Sequence, residues 1–304
     1  MSSKTNERAS TDNLPLAISS IVFTVLALSL GDALIKFTSG EFVIWQIFVV
    51  RSILVLPVLV GYLALRNPAL IKFPSTILWT TIRSLMLVGM WLSYYVALPH
   101  LELSVAAAAY YTIPIFITLF SALFVGDRVS SVGWVAVFVG FLGVLLILRP
   151  NVGDFNAFAF LPVLAAILYA LAMILTRTKC QDENPIILSA ALNVAFILVG
   201  FIAALFISGL DAQYRVGFLL ATWTEMGTGE WLSMVLLAGA ILIGSVGAAI
   251  AYQNGPSSVI GTFDFAYVGF AVVWGVVFFS EFPDAMTLVG MALIVMAGIM
   301  ALKQ

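Results

Sequence analysis

Residues 97–150, ALPHLELSVAAAAYYTIPIFITLFSALFVGDRVSSVGWVAVFVGFLGVLLILRP, can be laid without a gap over residues 251–304, AYQNGPSSVIGTFDFAYVGFAVVWGVVFFSEFPDAMTLVGMALIVMAGIMALKQ. The shift is 154 residues and carries Ala97 onto Ala251, Ser104 onto Ser258, Phe116 onto Phe270 and Phe124 onto Phe278. The loop acid Asp127 falls on Glu281. Both stretches are almost wholly apolar. An internal repeat in an apolar, many-helix chain points to two related halves built around a central site.

Working outward, the whole chain has the same character. Of 304 residues, 62% are hydrophobic and 9% charged, against about 25% charged in a soluble domain. A soluble fold cannot hide that much apolar surface, so the lipid bilayer is the expected partner of most of it. The net charge of -2 gives no nucleic-acid footprint. A single cysteine, Cys180, excludes an intrachain disulfide, and a single histidine, His100, excludes a site of several histidines. No metal or cofactor is expected.

A helical span needs about 20 apolar residues. Ten segments qualify: 14–37, 43–65, 77–98, 102–125, 131–149, 157–177, 185–208, 231–252, 257–280 and 285–302. Turn signals separate them, among them Arg66-Asn67-Pro68, Gly126-Asp127-Arg128, Asp182-Glu183-Asn184-Pro185 and Asn254-Gly255-Pro256. The long connection 209–230 holds an interfacial segment, Val216–Thr224. Residues 1–13 are polar and read as a disordered cytoplasmic N-terminus. Lys4 and Arg8 before an apolar run imitate a cleavable signal, but Glu7 and Asp12 spoil the basic region, so the first helix is expected to stay.

With the N-terminus in the cytoplasm, the inner face collects Lys4, Arg8, Arg66, Lys72, Arg128, Arg177, Lys179 and Lys303. The outer face keeps Arg149, Arg215 and the span-end Lys36. That bias fixes the orientation. Five spans per half is an odd number, so the halves face opposite ways. The expected fold is an all-α polytopic membrane protein of ten transmembrane helices, two inverted five-helix repeats over 14–150 and 157–304. Span 8 places Ala240, Gly244 and Ala248 every four residues, and span 5 offers Ala136 and Gly140; such stripes let helices approach closely. Pro57 and Pro114 are expected to kink spans 2 and 4.

The chain resembles the drug/metabolite transporter superfamily, in particular proteins with two EamA-type domains. The resemblance rests on Gly31-Asp32-Ala33-Leu34-Ile35-Lys36, Trp45-Gln46 with Arg51, Ala97-Leu98 and Tyr110–Pro114 in the first half. In the second half it rests on Pro256–Gly261, Ser280-Glu281-Phe282-Pro283, Gly290 and Gly298. The first half has Asp127-Arg128 where the family usually has Glu-Arg, and no basic residue follows Glu281. The resemblance implies ten helices, both termini in the cytoplasm of a bacterial inner membrane, and alternating access to a central cavity. Members move amino acids, organic cations, flavins, S-adenosylmethionine and other small metabolites.

Intramembrane charges are expensive and need a reason. Asp32 and Lys36 lie four apart, on one face of span 1, as a coupling acid and gate or as a structural pair. Arg51, well inside span 2, wants a carboxylate, backbone carbonyls or a substrate carboxylate. Arg83, about a turn and a half into span 3, is expected to reach headgroups. Asp264 in span 9 has Tyr110 as its repeat counterpart and is the leading candidate for proton coupling or for binding a cationic group. The alternative is a salt bridge to Arg51 or Arg83. Tyr110, Tyr111, Tyr267, Trp91 and Trp274 are candidate ring-stacking positions. Tyrosines near span ends, Tyr252 among them, default to the interfacial belt.

These features favour a secondary transporter of a small organic solute, with protons or a counter-solute as candidate coupling partners. An amino acid or related amine or carboxylate meets the demands of arginines, acids and rings together. No Gly-x-x-x-x-Gly-Lys-Ser/Thr loop is present to bind nucleotide. An intramembrane enzyme would need a catalytic cluster that the scattered acids do not form. A non-transporting sensor or assembly protein is the remaining alternative.

Overall fold

The computed structural model describes residues 13–38, 42–70, 74–101, 103–126, 129–148, 157–280, 282 and 284–301. The loop acids Asp127 and Glu281 and residues 1–12 lie outside the described residues. Among the described residues there is helix and no strand. In chain order come α1 (Leu14–Thr38), α2 (Ile44–Arg66), α3 (Ile77–Ala97), α4 (Leu103–Tyr110), α5 (Ile113–Phe120), α6 (Ser131–Leu148) and α7 (Phe160–Thr178). Then follow α8 (Pro185–Ser208), α9 (Gly217–Leu220), α10 (Thr228–Asn254), α11 (Ser257–Phe263), α12 (Ala266–Phe279) and α13 (Ala285–Ala301).

Seven helical stretches among the described residues are long and apolar enough to cross a membrane. The other three expected spans, 102–125, 131–149 and 285–302, are helical too, as α4 with α5, α6 and α13. Large apolar side chains point outward along them. Leu65, Leu205, Phe206, Phe23 and Ile202 are each more than 60% exposed. That is the surface a bilayer requires of a multi-pass membrane protein.

The helices stop where the sequence tells them to. Asn184 caps α8 through a 2.8 Å bond from the Ile186 N–H to its Oδ1, with Pro185 at the first helical position. The α5 segment ends in a π-turn, Ser121–Val125, closed by Gly126 in the left-handed region. The α12 helix ends on Ser280, also left-handed at φ 57°. Gly126 and Ser280 are 154 residues apart, so equivalent chain reversals use a glycine once and a strained serine once. Pro57 does not interrupt α2.

Packing follows the small-residue stripes. The α1 helix lies along α10. A Cβ on Gly244 would fall 2.3 Å from a Leu28 methyl, and one on Gly247 2.2 Å from the Thr24 hydroxyl. Only glycine permits that approach. The other main pairs are α3 with α7, α2 with α8, α6 with α13, α1 with α12, α5 with α7, α3 with α8, α2 with α10, α8 with α10, α4 with α7, α4 with α6 and α5 with α11. The segment after α8 is largely exposed. It folds back over the start of α2, where Trp45 donates to the Leu219 carbonyl at 2.8 Å and Gln46 to that of Thr224 at 2.8 Å.

The opposite end of the bundle is closed by polar contacts. Glu183 Oε1 accepts from the Ser75 hydroxyl at 2.7 Å, the Thr76 N–H at 2.7 Å and the Thr76 hydroxyl at 2.9 Å. One carboxylate therefore caps α3 from the loop before α8. Gln253 at the end of α10 donates to the carbonyls of Cys180 and Glu183 at 2.8 and 2.7 Å. The Asn13 N–H reaches the Asn254 carbonyl at 2.9 Å. Burial alone would raise the Glu183 carboxyl. The hydrogen bonds from Ser75 and Thr76 outweigh it and hold the group below the usual glutamate range.

Candidate functional site

Two interrupted helices pack on each other, α5 against α11 and α4 against α12. After α4 the chain turns at Tyr111-Thr112 and resumes as α5; after α11 it turns at Asp264-Phe265 and resumes as α12. The first break has a plain cause. Pro114, at the start of α5, has no N–H to give the Tyr110 carbonyl. The second break has no proline. Its turn is held by the Tyr267 N–H on the Asp264 carbonyl at 3.1 Å and the Val268 N–H on that of Phe265 at 3.1 Å. Gly261 lets α11 meet α5, since a Cβ there would stand 3.0 Å from an Ile117 methyl. Broken helices of this kind expose backbone only where it is buried in protein or lines a cavity.

Two buried carboxyls stand in or beside the second break, each tied to a tyrosine. Asp264 is 2% exposed and accepts from the Tyr252 hydroxyl at 2.5 Å. Asp32 on α1 is 2% exposed and accepts from the Tyr267 hydroxyl through Oδ2. Tyr94 lies 3.5 Å from the Tyr267 oxygen. A continuous run of rings links the two acids. Tyr267 packs on Tyr111 at 4.9 Å, Tyr111 on Tyr110 at 5.7 Å, Tyr110 on Tyr169 at 6.2 Å and Tyr169 on Tyr252 at 6.3 Å. A charge buried among rings with one hydroxyl donor is incompletely solvated. A proton or a cationic solute group can neutralise it.

Arg51 stands beside this run. It is 2% exposed, and its guanidinium carbon lies within 6 Å of the Phe196, Phe48, Trp91 and Tyr95 rings. Nη1 donates to the Tyr95 hydroxyl at 3.4 Å. The alternative reading of Asp264, a salt bridge to Arg51 or Arg83, does not form. Asp264 is bound by Tyr252, Arg51 by Tyr95 and Arg83 by Thr176.

Arg83 is a correction. It does not reach headgroups but is 1% exposed, with Nε on the Thr176 hydroxyl at 2.5 Å. The tight α3–α7 contact turns it inward. Lys36 and Trp274 belong to the α1–α12 seam rather than the ring cluster. Lys36 Nζ lies 4.8 Å over the Phe279 ring, and Trp274 donates to the Ser29 hydroxyl at 2.9 Å. Trp91 packs on Tyr95 at 5.0 Å. The main omission is Tyr252, read as a belt residue because it sits at a helix end. It is fully buried. The available signal was its position twelve residues before Asp264, within reach once the chain folds back at Gly255-Pro256.

Comparison with known proteins places the chain. Residues 15–149 match the EamA-like transporter family. A pseudopaline exporter, CntI of Pseudomonas aeruginosa, is 27% identical over 93% of this chain and 96% of its own. A riboflavin transporter of Rhizobium johnstonii is 27% identical over 97% of this chain and 92% of its own. An S-adenosylmethionine uptake transporter of Rickettsia felis is 25% identical over 71% of this chain and 68% of its own. A crystal structure of 18% identity covers 95% of both chains with a TM-score of 0.69, a likeness of fold alone. The family match over residues 15–149, relatives named as transporters along nearly the full length, and an apolar many-helix body agree: this chain is similar to the EamA-type transporters of the drug/metabolite transporter superfamily.

Proposed function

We propose that the protein is a secondary transporter that moves a small organic solute across the bacterial inner membrane by alternating access. It is built as ten spans in two inverted five-helix repeats, over 14–150 and 157–304, with both termini in the cytoplasm. The observation that carries the reading is the pair of broken helices with Asp264 and Asp32 buried beside them. Helices interrupted at mid-depth between two halves are the usual seat of substrate and coupling-ion sites.

The packing supports the repeat. Exchanging the first five spans for the second five turns α1–α10 into α7–α3, α1–α12 into α7–α5 and α3–α8 into α10–α2. It leaves α2–α8 and α6–α13 unchanged and turns α5–α11 into α12–α4. The polar closure around Glu183 joins the two halves at the face assigned to the cytoplasm, and one state of the cycle must break it. Solutes of the class named for the relatives, with amino acids and related amines or carboxylates, are the substrates to try. Asp32 and Asp264 are the sites where a proton or solute cation would be carried.

The test is flux into proteoliposomes of the purified protein. The panel is labelled amino acids, organic cations, riboflavin and S-adenosylmethionine, with and without a pH gradient. Saturable flux of one class is expected. Non-saturating flux would mean a channel, and none from inserted, folded protein would favour a sensor or assembly role. Single cysteines at Asn67 and Asp211, in a Cys180→Ser background, should label from opposite faces; labelling from one face would overturn the topology.

A further inference from the structure

We propose that Arg51 is a carboxylate-reading subsite, so that the transported solute carries a carboxylate on an apolar or aromatic body. Arg51 Nε and Nη2 are buried and have no hydrogen-bond acceptor. The third nitrogen, Nη1, has only the 3.4 Å contact with Tyr95. Nε and Nη2 form one edge of the guanidinium and present two parallel N–H groups. That edge is the fork that matches the two oxygens of a carboxylate.

The surrounding rings sharpen the point. Phe196 at 4.5 Å, Phe48 at 5.0 Å and Trp91 at 5.6 Å can stabilise the positive charge through their π faces. They accept no in-plane N–H bond of the strength an oxygen would give. The cage thus offsets the charge and leaves the directional donors unmet. A buried donor edge without an acceptor is costly, and one persists where something else fills it. No carboxylate of the described residues does so. A monoanion suits the cage better than a dianionic phosphate, because one guanidinium can neutralise only one charge and the rings cannot solvate the rest.

The inference rests on the transporter reading for its word "transported", and the experiment separates the two. Equilibrium binding to purified protein in detergent would be measured by titration calorimetry. The probes are phenylacetate and L-phenylalanine, each against its carboxamide, phenylacetamide and L-phenylalaninamide. The expected result is that each acid binds about tenfold or more tighter than its amide, the discrimination of one charge-assisted fork. Arg51→Gln should bring that ratio to near one, and Arg51→Lys should keep part of it. An equal affinity for acid and amide, or binding of neither acid, overturns the subsite. The wild-type comparison stands even if Arg51→Gln does not fold. Acid-selective binding without any flux would uphold the subsite and remove the transporter reading. Flux with no acid preference would do the reverse.

Discussion

The two helix breaks share a position and differ in chemistry. In the first half the interruption is made by the backbone: Pro114 withholds an N–H, and the turn carries Tyr111 and Thr112. In the second half no proline is present, and the turn carries Asp264, tied across to Tyr252 on α10. The first break thus has a covalent cause, while the second is held by backbone hydrogen bonds and sets a carboxyl in its turn. On the transporter reading proposed above, the first break serves shape, and the second, which carries the carboxyl, is the one that a proton or solute cation can change.

The largest expected effect comes from removing the responsive charge. Asp264→Asn should lower pH-driven flux by about 10- to 100-fold, the worth of one charge-assisted hydrogen bond, while insertion and monodispersity stay normal. Proteoliposome flux with an imposed gradient measures it. Wild-type flux in that variant would end the distinction between the breaks. Next is Tyr252→Phe, which keeps the acid and removes its donor. A loss of about tenfold is expected, matched by a similar loss in Tyr267→Phe at Asp32. If only one of the two tyrosine variants is impaired, the two acids do not share the work.

Pro114→Ala tests the other break. Restoring the N–H should raise the melting temperature of the purified protein, and flux should fall if the interruption shapes the cavity. A fully active, more stable variant would show that the first break serves no transport role.

Two smaller effects probe the ends of these helices. Glu183 has its carboxyl held below the usual range, so its contribution to closure is complete above the unfolded value of about 4.3 and is lost as pH falls through the lower folded one. Reaction of the native, fully buried Cys180 with a dipyridyl disulfide, which reads thiols in acid as well as at neutral pH, should therefore stay slow through the ordinary glutamate range and quicken only as pH falls below it. Glu183→Gln should show the quickened reaction at neutral pH. The smallest is Ser280→Gly, which relieves a left-handed serine and should stabilise by about 1 kcal/mol without altering flux, bringing it level with Gly126.

Much of the fold was legible because lipid imposes length. Helices α1, α2, α3, α8 and α10 lie within a few residues of the expected spans, since an apolar run of about 20 residues has few alternatives. The site was legible in part. Asp32, Arg51 and Asp264 stand out because a charge in a span must be accounted for, and Tyr267 because its ring lies three residues from Asp264. Tyr252, Tyr169 and Phe196 did not, because a ring in an apolar helix is unremarkable until its neighbours across the bundle are known. Arg83 misled because depth along a helix says nothing of which face the helix buries. The second break escaped notice because nothing covalent marks it.

Glu183, Ser75 and Thr76 join the two halves, and Gln253 braces the loop that carries Glu183, with groups that water can replace one for one. Parting these contacts exposes polar groups, whose hydration lowers the heat capacity where apolar exposure would raise it. The opening responds to water activity. A solute excluded from the crevice, such as sucrose, should hold that face shut, and the protein would then respond to the osmotic state of the compartment it faces before any substrate reaches it.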